Sequence, residues 1–579
     1  MAPPRPCEIR EPSPPVPPAP PKIVRPPVPK PVPVEPPPAP PSPAEPPRQW
    51  FTEAVRRSGS WDRQVPPLPT AGNTIEPYIE VLDYYVALGK AIRATRPDIG
   101  DFVYIAGWGL DLDAFIDAPK ASPRETLGTV LERAIQTKVD VRVLLPDQPQ
   151  EGQAGTLQRL SKMGAGGILD PSHKLLGTHH QKFVVIRSGE GLVAFCGGCD
   201  VDNSRLGRDS VKPGATPATG PEKSSAWHDP QVKVRGPAVA DMWNAFVLRY
   251  KEARQGWMLS VMLPDNPITK VTGYKPHSIY EPDLAASEAR VPGLDMQVVR
   301  TYPNRKKKHV GDELIVYPKQ PGYDFSPNGE MGVYRLLVRA LSLVRNTIYL
   351  EDQYLVNTVA MGSNPPITTA VRAAIERTSF QKMIILVAGT GTVSGELFQA
   401  ASRRADFIQQ LGPSAASKVE TYIYKGDFNS PYWLHAKLWI FDDEFAVIGS
   451  SNCNRRGYSY DSELGVGIAD PERRTQGTYF AHRLRMNLWL KHLNGRPQAA
   501  GGRGNLRDDD VRDFVAASKL WSSADPKQSL LERVDFTKNP EPDRSAKEKI
   551  EKQFPRVAKV YGSISNRAID WSFVDPDGS

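Results

Sequence analysis

Two His-x-Lys pairs stand far apart in the chain. One is His180 and Lys182 in His179-His180-Gln181-Lys182-Phe183-Val184-Val185-Ile186. The other is His435 and Lys437 in His435-Ala436-Lys437-Leu438-Trp439-Ile440-Phe441-Asp442. Each reads as an apolar strand, in which period-two alternation places the His and the Lys on one face and within reach of one ligand. An imidazole can attack phosphorus or protonate a leaving oxygen, and an ammonium two residues along neutralises the non-bridging oxygens. The residue types and spacing therefore point to phosphoryl chemistry.

The segments downstream of the two pairs repeat in the same order. After the first come Gly197-Gly198-Cys199-Asp200, Trp227-His228-Asp229 and the strand Val232-Lys233-Val234-Arg235-Gly236-Pro237. After the second come Gly449-Ser450-Ser451-Asn452, Asp461-Ser462-Glu463 and Leu464-Gly465-Val466-Gly467-Ile468-Ala469-Asp470-Pro471. The stretch from His180 to Gly197 is slightly longer than that from His435 to Gly449, which a longer hairpin at 187–191 absorbs. Upstream, a helical pattern near Tyr78 to Ala94 precedes the strand Phe102 to Ala106, just as the helix face Val333, Leu337, Leu341 and Val344 precedes Thr347 to Tyr354. A second helix and strand come next in each half, the strands running from Val139 to Leu145 and from Met383 to Val387. Ser122-Pro123-Arg124-Glu125 reads as a capping box opening the first of these helices. The expected architecture is α/β, with two similar lobes related by pseudo-two-fold symmetry and the active site at their interface.

On these motifs the chain resembles the phospholipase D superfamily, whose members carry His-x-Lys-x-x-x-x-Asp once per lobe. Residues 70–495 carry the resemblance. The second motif is complete in His435, Lys437 and Asp442, whereas Arg187 stands where the first would have its Asp. The resemblance implies a phospholipase D forming a phosphohistidine, with His180 as nucleophile and His435 as acid, and with phosphatidic acid and a head-group alcohol as products. Lys182, Lys437 and Asn452 would hold the phosphate, with Asp200, Asp442 and Ser450 in support. Matching the repeats pairs Asp229 with His180 and Glu463 with His435, as carboxylates that orient each imidazole. No cofactor or metal is expected, because two lysines supply the positive charge and no other cluster of ligands is legible. The alternatives are a superfamily nuclease, a phosphatidyl transferase such as a cardiolipin synthase, and a non-catalytic lipid-binding protein. Intact His180, Lys182, His435 and Lys437 argue against the last.

Composition sets the expected boundaries. Prolines, 58 in all, crowd the start of the chain, and residues 1–70 read as a disordered tether, the alternative for residues 1–50 being a ligand for a proline-recognising domain or for secretion machinery. The lobes are expected at 71–257 and 293–495, joined by a linker at 258–292, with a C-terminal appendage at 496–579. The first lobe carries an insertion between Asp200 and Trp227, expected at the pocket rim. A net charge of +8 and a pI near 9.0 favour an anionic partner. The phospholipid substrate and peripheral contact with an anionic membrane surface are the expectation, and nucleic acid is the alternative. Arg305-Lys306-Lys307-Lys308-His309 is the densest basic run and reads as a solvated loop. There is no transmembrane run and no hydrophobic leader, so the expected location is cytoplasmic, or outside the cell by a signal-independent route. Four cysteines fit a reducing compartment, and Cys196-Gly197-Gly198-Cys199 reads as a structural pair of thiols.

Overall fold

Short runs rich in β-branched and aromatic residues become strands, and the intervening helices keep the 3.6-residue apolar period. The computed structural model describes residues 50–52, 69–97, 100–118, 121, 123–147, 153–174, 177–206, 226–253, 293–306, 322–357, 360–389, 400–424, 432–470, 479–494, 506–522 and 531–538. The first half comprises β1 (Thr70–Glu80), β2 (Phe102–Ala106), β3 (Asp140–Pro146), β4 (Gly166–Asp170), β5 (Phe183–Ser188), β6 (Gly191–Gly197) and β7 (Ala226–Arg235). The second comprises β8 (Leu294–Asn304), β9 (Asn328–Met331), β10 (Thr347–Asp352), β11 (Lys382–Val387), β12 (Val419–Tyr424), β13 (Tyr432–Leu434), β14 (Lys437–Phe441), β15 (Phe445–Gly449), β16 (Glu463–Ala469) and β17 (Leu531–Arg533).

The pairing repeats. In the first half β4, β3 and β2 are parallel, and β5, β6, β7 and β1 continue antiparallel from β2. In the second, β12, β11 and β10 are parallel, and β14, β15, β16 and β8 continue antiparallel from β10. Because β1 also pairs with β8, the strands form one large mixed sheet. Every residue of β2 and of β10 is buried, as parallel strands covered on both faces require. Alternation then sorts β10 between two cores: Ile348 and Leu350 join one, and Tyr349 faces the other with Trp489 and Trp521.

Helices Val81–Arg93, Leu127–Gln136, Gly332–Leu343 and Ile367–Ile375 lie where the repeat places them. Two local expectations change. Tyr78 to Glu80 belong to β1, because their backbone pairs with β7 before the helix begins. The capping box does not open the helix at 127: Thr126 is the N-cap and accepts from the Thr129 amide, while Glu125 is held by Arg93 and Arg133 in ion pairs of 2.7 Å each. Ser122 lies outside the described residues.

Segments expected outside the lobes pack against them. Within the span read as a tether, Trp50 is buried and stacks on Phe445 at 5.4 Å, since a large indole gains more from burial than from water. Within the span read as an appendage, β17 extends the sheet alongside β12, and Trp521 fills the space between Tyr349, Tyr422 and Trp489. The proline-rich residues 1–49, the linker 258–292, residues 207–225 of the insertion and residues 307–309 of the basic run lie outside the described residues. Among the described residues no helix is long and apolar enough to cross a membrane.

Candidate active site

Both His-x-Lys pairs sit where the chain enters a strand. β5 begins at Phe183, one residue past Lys182, and β14 begins at Lys437 itself, so the two histidines precede the ladders on which they were expected. This matters because the entry segments pair with the opposite half. β13, just before His435, runs parallel to the start of β7, with Leu434 opposite His228, and His179 forms a parallel bridge to Ser462 just before β16. The backbone amide of His435 donates to the His228 carbonyl at 2.9 Å, and that of His180 to the Ser462 carbonyl at 2.8 Å.

That crossing decides the carboxylate partners and reverses the expected assignment. His180 Nδ1 meets Glu463 at 3.0 Å, and His435 Nδ1 meets Asp229 at 2.6 Å. Each carboxylate comes after the motif of its own half in the sequence, yet the parallel pairing carries it under the other half's imidazole. Gly198 permits the approach on one side: a Cβ there would lie 2.4 Å from an Asp229 carboxylate oxygen.

The four motif side chains act on one another. Lys182 and Lys437 both depress each imidazole electrostatically, which places all four in one field. Lys182 pairs with Asp200 at 3.3 Å, and Asp200 also accepts from the Trp108 amide at 2.8 Å, so Asp200 braces the lysine. Lys437 reaches Gln353 at 3.3 Å and donates to the His435 ring and carbonyl. The Ser450 hydroxyl accepts from the Leu464 amide at 3.1 Å and donates to Glu463 at 2.5 Å. Asn452 is buried, and its side-chain carbonyl has no hydrogen-bond partner among the described residues.

The Nδ1 partners of the two imidazoles differ in kind. His180 Nδ1 lies 3.0 Å from the Ser450 carbonyl, which can only accept, so Nδ1 carries the proton and Nε2 presents a lone pair. His435 Nδ1 lies 2.9 Å from the Lys437 ammonium, which can only donate, so Nδ1 is the acceptor and Nε2 carries the proton. The Asp229 carboxyl complements this: burial pushes it up to about 7, which suits it to donate to the same Nδ1. Burial, then the lysine charges, holds both imidazoles well below their ordinary pKa, and burial with nearby Asp461 raises the Glu463 carboxyl. Burial also lowers the Lys437 ammonium to about 8.

Asp442, by contrast, stands away from this chemistry. It occupies the hairpin turn after β14 at φ 50°, and its carboxylate accepts from the amides of Arg345, Asn346 and Thr347 at 2.7 to 2.8 Å, fastening the turn that leads into β10. In the first half that turn is braced from within by Asp101, which accepts from the Arg96 amide at 2.8 Å and pairs with its guanidinium. Arg187 sits inside the β5 ladder opposite Phe102 and Leu192, because the extra residues of the first hairpin lengthen its strands and leave a two-residue turn.

The sequence did not make visible a buried group behind His435. Glu351 accepts from His228 at 2.6 Å, from His492 at 2.8 Å and from Tyr349 at 2.6 Å. This corrects the expectation that no further ligand cluster exists, for the three residues His228, Glu351 and His492 offer metal-ligating atoms within 4.8 Å of one another. Their spacings are those of charge-assisted hydrogen bonds, which satisfy the carboxylate directly. The residues come from β7, β10 and the helix Phe480–Asn494, so only folding assembles them. Cys196 and Cys199 are buried free thiols, both raised by burial.

A family model described as "Cardiolipin synthase, PLD-like domain" matches residues 354–483. Phospholipase D alpha 1 of Zea mays is 22% identical over 544 aligned residues, covering 75% of this chain and 66% of that protein. Phospholipase D beta 2 of Arabidopsis thaliana is 22% identical over 514 residues, covering 68% and 55%. The chain thus spans less than two thirds of the length of these relatives. A solved phosphatidylserine synthase of Haemophilus influenzae Rd KW20 aligns with a TM-score of 0.48 and 11% identity, over 84% of this chain and 93% of that one. Two His-x-Lys pairs thus gather at one centre, a phospholipase D-like family model matches around the second, and phospholipase D enzymes align across most of the chain, so the chain is similar to the phospholipase D superfamily over most of its length.

Proposed function

We infer that the chain is a phospholipase D-type phosphodiesterase acting on phospholipids, built from two lobes at 71–257 and 293–495 that share one active site. The observation that carries the mechanism is the contrast at Nδ1, a carbonyl acceptor for His180 and an ammonium donor for His435. His180 Nε2 attacks phosphorus as its lone pair forms the P–N bond, and the P–O bond to the head group breaks. The departing oxygen takes the Nε2 proton of His435 as the Asp229 carboxyl passes its own proton to Nδ1 across their 2.6 Å contact, while Glu463 and the Ser450 carbonyl receive the charge that develops on His180. In the second step His435 Nε2 removes a proton from water or an alcohol as Nδ1 returns its proton to Asp229, the new oxygen attacks phosphorus, and the P–N bond breaks. Lys182, Lys437 and Asn452 hold the non-bridging oxygens. With water the products are phosphatidic acid and a free alcohol, and with an alcohol the phosphatidyl group is transferred.

A p-nitrophenyl phosphodiester separates the roles, because its leaving group needs no proton. His435→Asn should release about one equivalent of nitrophenol per site and then stall, and His180→Asn should release none. The reverse pattern would exchange the assignments. Mixed phospholipid vesicles with EDTA present should yield phosphatidic acid; if only plasmid DNA were cleaved, the nuclease reading would replace the lipase. Metal-restored activity after EDTA would overturn the account in which lysines alone offset the charge.

A further inference from the structure

The acid side of the site carries a cation that the mechanism does not use. Arg205 ends a short helical turn fixed by Asp202, whose carboxylate accepts from the Ser204 amide at 2.7 Å, and by Asn203, which accepts from the Phe115 amide at 3.0 Å. Its guanidinium lies 3.5 Å over the Trp227 ring, and that ring lies 4.4 Å from the His435 imidazole. Trp227 thus touches both the Arg205 guanidinium and the tilted His435 imidazole. Arg205 Nη1 donates to the Ser204 hydroxyl, its Nε is buried without a partner, and no carboxylate pairs with it among the described residues. The nucleophile side differs. There the corresponding turn after Asn452 carries Arg456, which Asp461 neutralises at 2.7 and 3.0 Å. Among the described residues, the leaving-group side thus presents a guanidinium with no carboxylate partner, whereas Arg456 of the nucleophile-side turn has one.

We propose that Arg205, seated on Trp227, forms a head-group subsite that selects phosphodiesters whose leaving alcohol bears an anionic group, a carboxylate or a second phosphate, over those bearing a quaternary ammonium. This rests on the reading that His435 protonates the departing head group, which places that group beside Trp227. An indole face would ordinarily attract a trimethylammonium. Here Trp227 is covered by Arg205 on one contact and by His435 on another, and the guanidinium repels a cation while its fork matches a carboxylate or phosphate in two hydrogen bonds.

The test has a turnover arm and a binding arm. Glycerophosphoserine and glycerophosphocholine are both soluble, so vesicle charge plays no part; kcat/KM should favour the serine diester by about tenfold or more, as a charged hydrogen bond would give. Arg205→Gln should cut the serine-to-choline ratio about tenfold, and Arg205→Lys should restore part of it. Equal loss on both diesters in Arg205→Gln, or a wild-type preference for choline, overturns the proposal. Calorimetry of the full chain with phosphoserine and phosphocholine reads the subsite without turnover. Tighter phosphoserine binding that Arg205→Gln abolishes supports it even if neither diester is cleaved, an outcome that would instead count against the phosphodiesterase reading. Equal binding of the two ligands to the wild-type chain overturns the subsite.

Discussion

At the scale of single residues, the two histidines have the same sequence context and opposite proton inventories. The difference comes from what touches Nδ1: a carbonyl oxygen in one case and an ammonium in the other. Lys437 therefore has two tasks, holding phosphate oxygen and keeping His435 in the tautomer that donates from Nε2. Because burial lowers its ammonium to about 8, the charged form prevails below that pH and is lost as pH rises through it. The alkaline limb of kcat/KM should accordingly fall near pH 8 in the free enzyme, and the limb of kcat higher, since a bound anionic phosphodiester stabilises the ammonium. Lys437→Arg should move the kcat/KM limb up by more than one pH unit, because a guanidinium stays protonated, with about a tenfold loss at neutral pH for imperfect placement. A limb that stays near 8 in this variant would assign it to another group.

At the scale of elements, the turn at Asp442 and Asp443 explains how one half keeps the family's aspartate and the other does without it. Both residues adopt positive φ, 50° and 56°, in a hairpin turn where Asp is tolerated. Asp442 binds three amides ahead of β10, and Asp443 holds Arg485 of the last long helix at 2.7 and 2.9 Å. In the first half, Asp101 braces the equivalent turn, so Arg187 costs the fold no anchor at that point. Asp442→Ala should thus destabilise by about 2–3 kcal/mol, the loss of an acceptor to three backbone donors, while kcat stays within about threefold. Thermal unfolding and the nitrophenyl assay check the two parts, and a collapse of kcat at unchanged stability would place Asp442 in the chemistry.

At the scale of the whole molecule, the sheet is completed by residues beyond the two repeats. Trp521, 2% exposed, packs on Tyr349 of β10, Tyr422 of β12 and Trp489. β10 contains Glu351 and leads directly to Gln353, which meets Lys437, so this packing supports the active site from behind. Trp521→Ala should cost about 3–5 kcal/mol in unfolding free energy, and Trp521→Phe less than about 1.5 kcal/mol, because its indole nitrogen has no hydrogen-bond partner among the described residues. Equal, small losses from both would show that the C-terminal segment is dispensable for the sheet.

The sequence alone determined the repeated order of helices and strands, and with it the four side chains His180, Lys182, His435 and Lys437. Apolar periodicity is a local property, and phosphoryl chemistry needs those residue types at that spacing. It also marked Asp229, Glu463, Asn452 and Asp200, since each holds a fixed place in the repeat. Tertiary structure decided which carboxylate serves which imidazole: β13 on β7 and His179 on Ser462 are pairings between halves that no local pattern encodes, and they send Asp229 to His435 and Glu463 to His180. It decided the proton positions too, through contacts of 2.9 and 3.0 Å at Nδ1. It brought Glu351 between His228 and His492, and Arg205 onto Trp227, groupings that form only when distant segments fold together.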